Sequence, residues 1–150
     1  MRTKTILLFF LFMGSCLFAQ PAEPLYWSEI KKVMTYSTDI NELVEKVKSL
    51  NKGFEVTGEI SEKGTKFSNG RFQFTLSANR GHQVIYQEIY NKYGIIRRPD
   101  LLTEVKLDGF KEDLGSQPSR ISMSKRPWTF AQNESKEKGK SNIIIWYSKQ

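Results

Sequence analysis

The chain is poor in the residues that most metalloproteins and many enzymes use. Among 150 residues there is one cysteine, Cys16, and one histidine, His82. A structural zinc site usually takes four Cys or His ligands, so that option is nearly closed by supply alone. The spaced Asp/Asn run with a central glycine and closing Glu that would build a calcium loop is missing. So are a phosphate-binding loop, a glycine fingerprint after a strand, and a nucleophile elbow around a serine. The expectation is a protein without a cofactor or metal.

Long apolar runs are scarce as well. The longest, Ile6 to Met13, falls far short of the roughly 20 residues a helix needs to cross a bilayer. No transmembrane helix is expected. That run, preceded by Arg2 and Lys4 and followed by Gly14, Ser15, Cys16 and Ala19, has instead the layout of a secretory signal peptide. Two processing patterns overlap in it. Cleavage after Ala19 leaves a chain of residues 20–150 beginning at Gln20, periplasmic or secreted. Cleavage before Cys16, with Gly14 and Ser15 as the small residues ahead of it, resembles a bacterial lipoprotein signal and would anchor the protein by acyl chains. Cleavage at Ala19 is the expectation under the small-residue rule, which Ala19 fits and the bulkier Leu17 fits less well, while in the lipoprotein pattern Met13 replaces the usual Leu. An exported domain that has lost Cys16 has no disulfide and depends on its core. Ten Phe, six Tyr and three Trp supply one.

The balance of 23 basic against 16 acidic residues is basic and scattered. Lys31-Lys32, Arg97-Arg98, Lys125-Arg126 and Lys136/Lys138/Lys140 fall on separate segments. A nucleic-acid protein concentrates charge on one face or arm, so no nucleic-acid partner is expected. A solvated basic surface, or attraction to an anionic envelope glycan or lipid, remains.

Along the chain, Pro21 to Pro24 is an extended lead-in. Ile30, Val33 and Met34 share a helical face, with Ser28 as a candidate cap. Asp39 with Glu42 resembles the start of a second helix, carrying Ile40, Leu43, Val44, Val47 and Leu50 and ending near Gly53. The period then changes to two. Phe54, Val56 and Ile60, a turn at 61–66, and Phe72, Phe74, Leu76 and Ala78 read as a long hairpin. In "HQVIYQEIYNKYG", Ile85, Ile89 and Tyr93 align as a helix closed by Gly94. Arg98-Pro99 implies an extended exit, and Val105 with Leu107 a strand ending at Asp108-Gly109. Ile121/Met123 and Trp128/Phe130 give two short strands around Pro127, and Ile143 to Tyr147 a central strand buried on both faces. The expected fold is α+β: an N-terminal helical segment, a largely antiparallel sheet of about five to seven strands, and one inserted helix in a single domain.

Three candidate sites follow. Arg80, Gly81 and His82 sit where a strand would hand over to a helix, a place where backbone N–H groups and a guanidinium can hold an anion. His82 is then the weak catalytic candidate, set against a plain capped turn with a surface histidine. The carboxylates Glu112/Asp113 and Glu88/Glu104 offer no spacing that points to paired acid–base work. Tyr86, Tyr90 and Tyr93 would form an aromatic stripe, which either packs in the core or makes a platform beside Arg97 and Arg98. The expected ligand-binding set is Arg80, His82, Tyr86, Tyr90, Arg97 and Arg98. The expected function is an exported binding or interaction domain whose ligand is a protein or an anionic glycan of the cell envelope. The alternatives are a cofactor-free hydrolase acting on envelope material, with His82 as acid–base and Arg80 as anion clamp, and a periplasmic protein inhibitor or immunity factor.

Overall fold

The computed structural model describes residues 21–34, 39–79, 82–88, 99–117, 120–134 and 141–148. The first helix, α1 (Trp27–Val33), starts one turn after the proline lead-in. Its first turn is closed by Glu29, whose Oε2 accepts from the Tyr26 N–H at 2.8 Å. Ser28 lies inside the helix rather than capping it. Helix α2 (Ile40–Ser49) is capped as its sequence implies, Asp39 accepting from the Asn41 N–H at 2.9 Å. Glu42 and Lys46 form the i,i+4 ion pair at 2.9 Å. Asn51 and Gly53 then take positive φ, 54° and 69°, and turn the chain out of the helix.

Four strands follow as an antiparallel meander: β1 (Glu55–Val56), β2 (Thr65–Ser68), β3 (Gln73–Asn79) and β4 (His82–Glu88). Helix α3 (Pro99–Leu107) comes next, and a second meander completes the chain: β5 (Lys111–Glu112), β6 (Arg120–Lys125), β7 (Trp128–Glu134) and β8 (Ser141–Ser148). The eight strands form one sheet in the order β1-β2-β3-β4-β8-β7-β6-β5. The two meanders meet along the antiparallel β4–β8 pairing, seven residues long from His82↔Ser148 to Glu88↔Asn142. The architecture is mixed α+β with an antiparallel sheet and a helix inserted between its halves, as the sequence implied; β1 and β5, two residues each, bring the strands among the described residues to eight.

Helix α1 contacts both α2 and α3, and the buried residues of all three helices belong to one apolar cluster. That cluster takes Phe67, Phe74, Leu76, Met123, Phe130, Ile143, Ile145 and Tyr147 from the sheet. Phe67 stacks on Phe74 at 4.9 Å and Phe54 meets Phe74 edge-on at 5.0 Å. Trp27 of α1 meets Phe110 at 5.2 Å and Trp128 at 5.3 Å, both edge-on. The aromatics thus tie helices to sheet in the offset and T-shaped geometries that ring quadrupoles favour.

Four local expectations are corrected. Residues 82–88 form a strand, not the start of a helix. Val84, Ile85 and Tyr86 suit an extended chain, and hydrogen-bonded partners on both sides, β3 and β8, override the helical spacing. The inserted helix lies at Pro99–Leu107, where an extended exit and a strand were expected. Proline is well suited to the first helical position, because that N–H has no intrahelical acceptor. Leu101 and Val105, one turn apart, are fully buried on its inner side. The first arm of the long hairpin is β2, paired Thr65↔Leu76 through Ser68↔Gln73; Gly58 at φ 95° breaks the run after Val56 and leaves Ile60 exposed. Strand β8 is central, yet it is not buried on both faces: Ile143, Ile145 and Tyr147 are buried while Ile144 and Trp146 are half-buried.

Candidate functional site

The alternation along β8 separates two faces of the sheet. The inner face carries the helices. On the outer face the register builds two rows across five strands. One runs Ser77, Val84, Trp146, Thr129, Ser124. The other runs Thr75, Tyr86, Ile144, Ala131, Ser122. Ala131 is buried but stands outside the main apolar cluster, consistent with its place on this side. Among the described elements no helix covers these rows. The centre of the outer face therefore presents Trp146 and Ile144, half-buried, with hydroxyl-bearing residues at the row ends. An indole gives a flat apolar area with one donor, and serine and threonine donate or accept as required.

Of the residues expected to bind ligand, His82 and Tyr86 lie on β4, at the positions paired with Ser148 and Ile144. By backbone register, positions 82 and 86 share a side of the strand with position 84. Arg80, Tyr90, Arg97 and Arg98 lie outside the described residues. Tyr86 is in a strand, so the helical stripe linking it to Tyr90 does not begin as expected. Trp146 and Ile144 had been assigned to the core. The signal that would have found them is the period-two rule applied to the apolar run 143–147, which forces one of every two side chains outward when helices cover a single face.

A second constellation lies on the inner side, where α3 ends. Asp108 accepts from Trp27 Nε1 at 2.6 Å and from Lys31 Nζ at 2.9 Å with Oδ2, and from Lys125 Nζ at 3.2 Å with Oδ1. Lys125 Nζ also donates to the Asp108 backbone carbonyl. The Trp27 hydrogen bond foremost, then Lys31 and Lys125, hold this carboxyl down at about 2 against a partial opposing effect of burial. Glu104 Oε2 receives the Trp27 backbone N–H at 2.7 Å. These bonds make the cluster a fastening between α1, α3 and β6.

Asp113 plays a similar part after β5. Its two oxygens accept from Ser122 Oγ at 2.6 Å and Ser124 Oγ at 2.7 Å, and these bonds lower its pKa. Glu112, its neighbour in the expected pair, is an exposed strand residue. Among the described residues no group of three or more His, Cys, Asp or Glu converges in a way that would hold a metal ion.

A groove of about 600 Å³ lies between the proline lead-in and the α2–β1 turn, lined by Pro21, Glu23, Leu50, Lys52, Gly53 and Asn69 among others. Its cation, Lys52, is committed: Nζ bonds Glu23 at 3.1 Å, Glu29 at 3.0 Å and the Pro24 carbonyl at 3.0 Å, and sits 4.0 Å from the Tyr26 ring centre. Asn69 Nδ2 donates to the carbonyls of Glu23 at 2.8 Å and Lys52 at 3.1 Å. These bonds strap the lead-in to the body.

The fold defines the class: a small α+β domain whose helices cover one face of an antiparallel sheet, leaving the other to a central tryptophan and flanking hydroxyls. No family model matches the chain, and neither a curated protein nor a solved structure shows significant similarity to it. Its function therefore has to be read from its own surface.

Proposed function

We propose that this is an exported binding or interaction domain working without a cofactor, and that the outer face of its sheet receives the ligand, a protein or an anionic glycan of the cell envelope. The observation that carries the reading is the pair Ile144 and Trp146 on central strand β8, partly exposed on a face that no described helix covers. A sheet with one solvated face normally turns polar residues outward, and an indole at its centre is the kind of side chain that anchors interfaces. Export supplies the setting: Arg2, Lys4, the apolar run 6–13 and Ala19 support cleavage after Ala19, with acylation at Cys16 as the alternative.

The test is crosslinked recovery of partners from native envelope extract with the wild-type chain and a Trp146→Ala variant of unchanged circular dichroism. One protein at fixed stoichiometry, lost in the variant, supports a protein ligand. Acidic glycan lost in the same way supports the glycan. Equal recovery by both chains removes the outer face from the proposal. Intact mass of the native protein settles whether it begins at Gln20 or at an acylated Cys16.

A further inference from the structure

Strand β5 (Lys111–Glu112) is the last in the sheet order, so among the described residues no strand pairs with its other side. The Asp113 N–H donates to the Ser122 carbonyl at 2.9 Å, which fixes the phase of the ladder with β6. Alternate residues of an antiparallel strand turn their N–H and C=O to opposite sides. With Asp113 directed inward, Glu112 directs both groups outward, to the open edge.

The edge is held in place from both ends. Phe110 is buried against Trp27. Beyond β5, Asp113 is bound by the Ser122 and Ser124 hydroxyls, and Ser116 Oγ exchanges hydrogen bonds with the Ser122 N–H and C=O at 3.1 and 3.0 Å. Proteins protect sheet edges with short strands and lysine, and β5 is short and carries Lys111. The same edge, however, is bracketed by Leu107 at 83% and Leu114 at 106% exposure, the two most exposed large apolar side chains among the described residues. The third, Ile60, is 48% exposed and precedes β2 on the far side of the sheet.

Charge points to one kind of occupant. Lys106, Lys111, Arg120 and Arg126 are exposed around this edge and form no ion pair with another described residue. Glu112 is the exposed acid among them, while Asp108 and Asp113 have their oxygens committed to internal donors. We propose that the β5 edge takes an extended acidic segment of a partner protein as an added strand: its backbone bonds Glu112, its carboxylates meet Lys111 and the neighbouring cations, and its apolar side chains cover Leu107 and Leu114. This edge adjoins the outer face, because Lys111 pairs with Ser124 at the end of the Trp146 row, but the proposal stands on the β5 backbone and does not depend on ligand binding at Trp146.

The probe is a synthetic peptide alternating valine and glutamate, with a valine–lysine peptide as control, titrated into the 15N-labelled protein. Saturable amide shifts at Lys111 and Glu112 are expected, with slowed exchange of the Glu112 N–H. Glu112→Pro removes the outward donor, together with the Glu112 side chain, and should abolish the response. Lys111→Glu and Leu114→Ser should each weaken binding by about tenfold or more. Absence of saturable shifts at β5, equal binding of the lysine peptide, or retention by Glu112→Pro would overturn the proposal. Shifts confined to Ile144, Trp146 and Thr129, sparing Lys111 and Glu112, would do the same while leaving the outer-face reading intact.

Discussion

Trp27 Nε1 donates to Asp108 Oδ2 at 2.6 Å, joining residues 81 positions apart. The same indole packs edge-on against Phe110 and Trp128. One side chain therefore links α1, the end of α3 and β7 by apolar contact on its rings and by a charge-assisted bond at its nitrogen. Replacing Asp108 with Asn keeps an acceptor and removes the charge shared with Lys31 and Lys125. Asp108→Asn is expected to lower stability by about 1.5–3 kcal/mol at neutral pH, measured by urea unfolding.

Acid should act through the same group. The folded pKa of Asp108, about 2, lies below its ordinary value of 3.8, so the native state binds fewer protons than the unfolded chain. Its stabilising contribution is complete above the ordinary value and drains away as the pH falls toward 2. Asp113, lowered by its two serine donors, acts in the same direction. Unfolding curves between pH 4 and pH 2 should show a shallower loss of stability in Asp108→Asn than in wild type. Parallel curves would rule out Asp108 as a source of the acid sensitivity.

Lys52 gathers two carboxylates, a carbonyl and a ring, with its side chain only 10% exposed. Lys52→Met keeps most of the volume and abolishes every polar contact. A loss of about 1.5–3 kcal/mol is expected, together with faster proteolysis near Pro21–Pro24, read by mass spectrometry of limited digests. Loss of stability without the new cleavage would show that Asn69 and the buried Leu25 hold the lead-in without Lys52.

In the core, Phe130 on β7 is fully buried in the layer between sheet and helices. Phe130→Ala should cost about 3–5 kcal/mol, the cavity adding to the lost transfer energy. A cost under about 1 kcal/mol would mean that the layer collapses around the gap.

Gly109 follows Asp108 at φ 85°. A Cβ placed there would lie 4.0 Å from Lys125 Nζ, an ordinary contact, so the cost of Gly109→Ala is conformational, roughly 1–2 kcal/mol. Thermal unfolding should show it, and Gly109→Asn should recover part of the loss because Asn tolerates the left-handed region better.

These features were unequally legible in the sequence. Asp39, Glu42 and Lys46 announced α2 through interactions spanning only a few residues, and so did Ile121/Met123 and Trp128/Phe130 around the Pro127 turn. Residues 82–88 did not. Val84, Ile85 and Tyr86 are apolar on both faces, a pattern compatible with either period, and only pairing with distant Ile144 and Trp146 decides for a strand. Pro99 was read as a helix breaker although at the first turn it is a helix starter; Leu101 and Val105, one turn apart, carried the missing signal. The candidate site divided in the same way. Trp146 was visible as an aromatic residue, but its outward direction depends on which face the helices occupy, and no local residue encodes that.

Strand β8 is the last in chain order and yet sits at the seam, between β4 and β7. Until residues 141–148 leave the ribosome, β4 has no partner on that side and β7 has only β6. The growing chain holds two separate meanders, and the final segment closes the sheet across them. Losing β8 would therefore divide the sheet through its middle, whereas losing β1 or β5 would trim a margin.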